Sequence, residues 1–243
     1  MSVAHHEAVG WGTGVLCRGI GAVYQWLSRL LRIALAAIGV WGAAGLAHAQ
    51  AQSIPTIGCS SDPYIFNTGY DGAGGVLASA STDRYWQAHR NGTFLGSGVI
   101  IPPPANATYA PAFVGRVTTQ WDASPFPMAQ WILWPYEYQT GGNDDWWFRY
   151  QFNLDPAVNP ANFSLQMDFM GDNAVSEVWI NGVAQSSKTP GLPQNGPENS
   201  ANSGTWTNPY GYYGFRAWRR SVTTLNHDWQ PGLNTMIVLM KSS

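Results

Sequence analysis

Charge is scarce in this chain, and neither sign dominates. Only 11% of the 243 residues are Asp, Glu, Lys or Arg, and the formal net charge is −2. Proteins that bind nucleic acid carry a basic surface that neutralises phosphates. The composition therefore excludes nucleic acid as the expected partner. Solubility must come largely from amides and hydroxyls, which is typical of exported β-proteins with long loops.

Cysteine is nearly absent, and this excludes a disulfide-stapled fold. Cys17 belongs to the N-terminal segment 1–49, and Cys59 is the only thiol after it. The region 50–243 therefore cannot form an internal disulfide. We expect Cys59 to be a free thiol near a flexible N-terminal stretch, residues 50–61. An intermolecular disulfide is the alternative, because an odd cysteine in an exported protein can pair between chains.

Catalytic motifs are also missing. The sequence has no H-E-x-x-H, no G-x-S-x-G and no phosphate-binding glycine loop. A glycosidase would need two carboxyl groups roughly 5 to 10 Å apart. The candidate carboxylates are Glu137, Asp144, Asp145 and Glu177. We favour a simpler interpretation, in which Asp144-Asp145 is a loop tip before a strand and Glu177 faces solvent, so the sequence predicts a protein that is not an enzyme.

The first 49 residues have the pattern of a signal peptide. Arg29 and Arg32 precede an uncharged apolar run, 33–46, and Ala47-His48-Ala49 places small residues where signal peptidase reads them. Cleavage before Gln50 would send the product to the cell surface, the medium or the periplasm. The run is short for a membrane span. A retained N-terminal anchor is the alternative, because the leader exceeds the usual length of roughly 15 to 30 residues, and a start site upstream of the natural one would also explain that length.

Three successive segments are predicted to be strands. Two of them alternate between apolar and polar residues with the period of a half-buried strand. Their apolar positions are Phe148, Tyr150, Phe152 and Leu154, then Phe163, Leu165, Met167 and Phe169. In the third segment, Val175, Glu177 and Trp179 interleave with Ser176, Val178 and Ile180. The third segment ends in Asn181-Gly182, the strongest short-range signal for a β-hairpin, since both residues tolerate positive φ. The sequence therefore predicts an all-β scaffold.

The region after the leader is predicted to be one domain. Residues 62–243 show no helical period, and their length suits a single core. Segment 185–208 is rich in Pro, Gly, Asn and Ser, which predicts a long surface loop. Loops of that length in compact domains are usually functional or disordered. The region carries nine Lys and Arg against thirteen Asp and Glu, a formal charge of −4.

Several short motifs resemble the galactose-binding-like, or discoidin-like, jelly roll of bacterial carbohydrate-binding modules and surface proteins. The motifs are Phe152-Asn153-Leu154, the segment 171–182 that ends in Asn181-Gly182, 231–235 (P-G-L-N-T), Asp83-x-x-Trp86 and Gln130-Trp131-Ile132. The resemblance extends from about residue 62 to the C-terminus and implies a jelly-roll β-sandwich. Each motif is turn chemistry or core packing, so the resemblance indicates a fold more than a function.

Aromatic residues on predicted loops give the functional clue. Sugar rings present flat C–H faces that stack on Trp and Tyr, and these side chains also carry a polar group. The predicted ligand-binding residues are Trp134, Tyr136, Trp206, Tyr210, Tyr212 and Tyr213. The alternative for most of these rings is that they pack inside the sandwich. Loop aromatics flanked by Asn, Thr and Gly are least well explained by packing.

A structural calcium ion is a further expectation, because similar modules often hold one between loop oxygens. Asp71, Asp83 and Asp172 are the candidate ligands, although no EF-hand spacing exists. Their alternative role is that of turn residues, whose short side chains bond to nearby backbone.

These observations predict an exported, non-catalytic jelly-roll module that recognises carbohydrate or an envelope glycan. The alternative from a different class is a structural adhesin or filament-type surface protein that acts through protein–protein contacts, including self-association.

Overall fold

β-Strands form most of the architecture of the described residues. The computed structural model describes residues 9–17, 52–90, 100–115, 122–133, 144–172, 174–190, 192, 217 and 220–242. The strands are β1 Val9–Cys17, β2 Thr56–Ile57, β3 Thr82–Arg90, β4 Ala110–Val114, β5 Ile132–Leu133, β6 Asp144–Leu154, β7 Phe163–Gly171, β8 Ala174–Ile180, β9 Val183–Ala184, β10 Ser221–Leu225 and β11 Gly232–Ser242. A 3-10 turn, Pro160–Asn162, precedes β7. The predicted all-β class is confirmed.

The strands form one curled and mainly antiparallel sheet. Its order is β10-β7-β1-β5-β4-β3-β6-β11-β8-β9, and β2 adds a short parallel pairing to β6. Phe152 on β6 lies 5.8 Å from Phe163 on β7, measured between ring centroids, although four strands separate β6 from β7 in the sheet order. The sheet must therefore curl so that β7 packs over β6, an arrangement compatible with a β-sandwich.

The core lies inside this curl and is strongly aromatic. On β6 the side chains of Phe148, Tyr150, Phe152 and Leu154 are buried, while Arg149, Gln151 and Asn153 between them are only half-buried. On β7 the predicted inward residues Phe163, Leu165, Met167 and Phe169 are all buried. Both predicted alternations are confirmed. Burying large aromatic side chains is the main favourable term that holds such a fold together.

The Asn-Gly hairpin is also present where it was predicted. Asn181 and Gly182 have φ values of 50° and 85°, and Ile180 pairs with Val183 across the turn. Positive φ at both central residues is the requirement of a type I′ turn, which suits the twist of the flanking strands.

The Asp83-x-x-Trp86 motif proves to be structural. Asp83 Oδ1 accepts hydrogen bonds from the backbone N–H groups of Tyr85 and Trp86, and Oδ2 accepts one from Gly69. The Trp86 ring is fully buried, and its Nε1 donates to the carbonyl of Phe66 at 2.9 Å. This motif therefore fixes the segment before β3 to the core.

A strand also forms inside the predicted leader. β1 pairs antiparallel with β7 along nine residue pairs, from Val9 opposite Gly171 to Cys17 opposite Phe163. A single pair, Val9 with Ile132, joins it to β5. Cleavage before Gln50 stays a prediction, and it would remove β1 from the sheet.

Among the described residues, no helix has the length and apolar character that a bilayer span requires.

Candidate ligand-binding face

The side of β6 that faces away from the core carries Trp147 and Arg149 and forms the centre of a second, mixed surface. Trp147 pairs with His89 on β3 and with Leu239 on β11. Arg149 pairs in the same way with Gln87 and Ile237. Because directly paired residues of antiparallel strands have side chains on the same face, two rows of side chains cross the sheet here.

This surface, called the outer face below, has an apolar floor. Trp147, Trp179 and Leu239 are at most 4% exposed, and they form a cluster separate from the main core. The outer face comprises Gln87, His89, Ile101, Tyr109, Trp147, Arg149, Trp179, Ala184, Ile237 and Leu239. Its polar members Gln87, His89 and Arg149 are half-buried and so remain open to solvent in part.

His89 is held by its neighbours from three sides. Its ring centroid lies 5.6 Å from that of Tyr109 and 5.8 Å from that of Trp147. Nδ1 lies 2.9 Å from the carbonyl oxygen of Thr108. A carbonyl oxygen only accepts, so Nδ1 is the donor in this bond. The ring is therefore fixed in position between two aromatic side chains.

Arg149 is fixed with its guanidinium over an aromatic ring. The guanidinium carbon lies 4.1 Å from the centroid of Tyr109, a cation–π geometry. Nε donates to Gln87 Oε1 at 2.7 Å. Burial lowers the pKa of Arg149 from its ordinary value, against a smaller opposing effect of Tyr109. Guanidinium groups stay charged in proteins, so a positive charge lies at the centre of the outer face.

Two buried donors of the outer face have no partner in the described part of the chain. Trp147 Nε1 and the Tyr109 hydroxyl are shielded from solvent and make no hydrogen bond there. Burial raises the pKa of Tyr109 to about 12. The hydroxyl is protonated at physiological pH even at the ordinary pKa of a tyrosine, so it is able to donate. An unsatisfied buried polar group costs about 1–3 kcal/mol. The outer face thus combines aromatic rings with unused donors, the composition that suits an oxygen-rich ligand.

The six aromatic residues predicted to bind ligand lie outside the described residues. They are Trp134, Tyr136, Trp206, Tyr210, Tyr212 and Tyr213. Their role stays a prediction. The neighbouring Trp131 is described and fully buried, and its Nε1 donates to the carbonyl of Asp122 at 3.0 Å. Trp131 is therefore a core residue, as the resemblance implies.

The three predicted calcium ligands have other structural roles or are deeply buried. Asp71 Oδ1 accepts from the backbone N–H groups of Ala73 and Gly75, which is turn chemistry. Asp83 holds the segment before β3, and Asp172 is buried directly after β7. Within the described ranges, no group of three His, Cys, Asp or Glu side chains could hold a metal ion. Calcium binding stays a prediction.

Two predictions about carboxylates are wrong. Asp145 lies within β6 and is fully buried, with Oδ1 accepting from Lys241 Nζ at 2.8 Å, so it is not part of a loop tip. Glu177 is 2% exposed and does not face solvent. Its Oε1 accepts from the backbone N–H groups of Val178, Gln185 and Ser186, so it anchors the chain that follows β9.

Comparison of the chain with protein-family models, curated proteins and solved structures gave no match. The function is therefore inferred from the outer face itself. The alternation in β6 predicted that Arg149 lies on the polar side of its strand, but it did not predict the contacts of Arg149 with Gln87 and Tyr109. Gln87 and Tyr109 come from distant parts of the chain, and no local pattern indicates that they meet.

Proposed function

We propose that this protein is an exported, non-catalytic module that recognises carbohydrate or a cell-envelope glycan. The observation that carries the proposal is the contact of the Tyr109 ring with the Arg149 guanidinium beside the buried indoles of Trp147 and Trp179. In the described part of the chain, Trp147 Nε1 and the Tyr109 hydroxyl meet no hydrogen-bond partner. Ligand sites usually combine an apolar, aromatic lining with a few fixed polar groups. Sugars need both, since their C–H faces stack on rings while their hydroxyls form hydrogen bonds.

The proposal extends to the fold family. We infer a jelly-roll sandwich of the galactose-binding-like kind, in which the outer face is the side of one layer that faces away from the main core. Support comes from the curled antiparallel sheet and from the Asp83, Trp86 and Trp131 motifs, which pack as the resemblance implies.

The absence of catalysis is supported by the roles of the described carboxylates. Glu177 accepts from three backbone N–H groups, and Asp145 accepts from Lys241. A glycosidase pair must instead present its carboxyl groups to the scissile bond. Asp145 and Glu177 are therefore occupied in holding the chain together, which favours binding without bond cleavage.

A glycan array tests the proposal directly. The purified exported protein is expected to bind a defined subset of glycans, and Tyr109→Ala is expected to weaken that binding. Tyr64→Ala is the matched control, because Tyr64 is a half-buried ring that packs against the main core instead. Trp134→Ala and Trp206→Ala test the predicted loop aromatics. Binding to no glycan would contradict the proposal.

A structural surface protein is the second candidate, and the ends of the sheet favour it. β10 and β9 are the terminal strands of the described sheet, and Val222 and Val183 on them are 50% and 40% exposed. Uncovered edge strands with apolar side chains invite pairing with another chain. Size-exclusion chromatography separates the candidates, since self-assembly without any sugar favours the adhesin or filament role.

A further inference from the structure

No acidic side chain in the described part of the chain neutralises the guanidinium of Arg149. Among the described residues, no carboxylate lies within 4.0 Å of its nitrogens. Its Nε bonds to Gln87, whereas its two Nη groups meet no acceptor in the described part of the chain. A guanidinium has five N–H donors in a planar fork, so four of them meet no acceptor among the described residues and can serve a ligand.

The fork is also held in one orientation before any ligand arrives. The Tyr109 ring supports one face of the guanidinium, and the bond to Gln87 fixes the edge that carries Nε. The opposite edge, which carries the Nη groups, is the one free to bind. Groups fixed in advance lose little conformational freedom on binding, so they bind more tightly than mobile ones.

The charges around Arg149 leave a local positive site in an acidic protein. The two carboxylates nearest in the strand register, Asp145 and Glu177, already accept hydrogen bonds from Lys241 and from backbone N–H groups. The other members of the outer face, Gln87, Tyr109, Trp147 and Ile237, carry no negative charge. A half-buried cation without a counter-ion favours an anionic partner, because pairing offsets the desolvation of the charge.

We propose that Arg149 binds the carboxylate of an acidic saccharide, so that the ligand class is a glycan containing uronic acid. This inference rests on the proposed function. The planar carboxylate matches the planar fork and accepts two parallel N–H bonds, which a neutral hydroxyl cannot do. The adjacent Tyr109 and Trp147 carry no charge and supply ring surface together with an O–H and an N–H group, which suits the remaining oxygens and C–H faces of a sugar.

The test compares matched oligosaccharides that differ only in the carboxylate. Binding of an oligogalacturonate, its methyl ester and the neutral galacto-oligosaccharide is measured by calorimetry on the exported protein. We expect the acid to bind at least 10-fold more tightly than the other two, and this preference to decline as salt is raised. Arg149→Gln should remove the preference. Arg149→Lys keeps the charge but loses the planar fork. Its preference for the acid should therefore lie between the preferences of Arg149→Gln and of the native protein.

Arg84→Gln is the matched control, because Arg84 is an exposed guanidinium 5.8 Å from the Tyr85 ring. It should leave the preference unchanged. Equal binding of the acid and the neutral sugar would overturn the role of Arg149 and leave the proposed function intact. The role of Arg149 would also be overturned if the preference for the acid survived in Arg149→Gln. Complete displacement of the saccharide by inorganic phosphate or an acidic peptide at equal concentration would overturn it as well. Absence of binding to every saccharide would overturn both proposals.

Discussion

Lys241 and Asp145 lie opposite each other on β11 and β6, and neither side chain is exposed. Removing one member of a buried pair leaves an uncompensated charge and costs about 3–5 kcal/mol. Lys241→Met should therefore lower the free energy of unfolding by that amount in urea titrations. Lys188→Met is the control, because its pair with Asp228 is 34% and 25% exposed and should contribute at most about 1 kcal/mol. Equal effects of the two substitutions would contradict the expectation.

Asp83 gives the protein a pH dependence of the opposite sign to that of an ordinary carboxylate. Burial raises its pKa to about 6, and the backbone bonds from Trp86, Gly69 and Tyr85 oppose that shift only in part. Because the folded pKa exceeds the unfolded value near 3.8, the contribution to stability is full below pH 3.8 and is lost as pH rises through 6. This difference between the folded and unfolded pKa of Asp83 corresponds to about 3 kcal/mol of folding free energy.

Asp83→Asn should therefore flatten the curve of unfolding free energy against pH between 4 and 6, measured by urea denaturation. Asp71→Asn is the control, because backbone bonds from Ala73 and Gly75 lower the pKa of Asp71. Its contribution is present above the unfolded pKa and is lost on acidification. Parallel curves for the native protein and Asp83→Asn would contradict the raised pKa.

At the scale of elements, the β8–β9 hairpin depends on backbone conformation more than on contacts. Gly182 has φ 85°, and a Cβ added there would meet no atom within 4 Å. Gly182→Ala should therefore destabilise the fold by about 1–2 kcal/mol through backbone strain alone. Gly182→Asn should cost less, because Asn tolerates positive φ. Thermal melts of the two variants check this order, and a larger effect for Asn would contradict it.

The elements also show which features the sequence could predict. β6, β7 and the hairpin follow from local patterns, namely alternation and Asn-Gly, and all three are present. The environment of Glu177 was predicted wrongly because its burial depends on Gln185 and Ser186, which return over it after β9. The outer face escaped prediction for the same physical reason. Tyr109 meets Arg149 only because β3, β4 and β6 pair across long stretches of chain, and single-strand periodicity carries no information about such partners.

At the scale of the whole molecule, the predicted leader and the sheet compete for the same residues. In the structure β7 is covered by β10 on one edge and by β1 on the other. Cleavage before Gln50 would remove β1 and leave the second edge of β7 without that strand. An uncovered edge presents unpaired N–H and C=O groups and readily accepts an extended peptide.

The exported protein, once its N-terminus is shown by sequencing to be Gln50, should therefore bind a synthetic peptide of residues 9–17. Binding should raise the melting temperature, because the peptide stabilises only the folded state. The same peptide with Thr13→Pro is the control, since Thr13 pairs with Met167 at the centre of the ladder and proline cannot donate there. Equal shifts with both peptides would contradict strand addition at β7. An N-terminus that still contains residues 9–17 would contradict cleavage before Gln50.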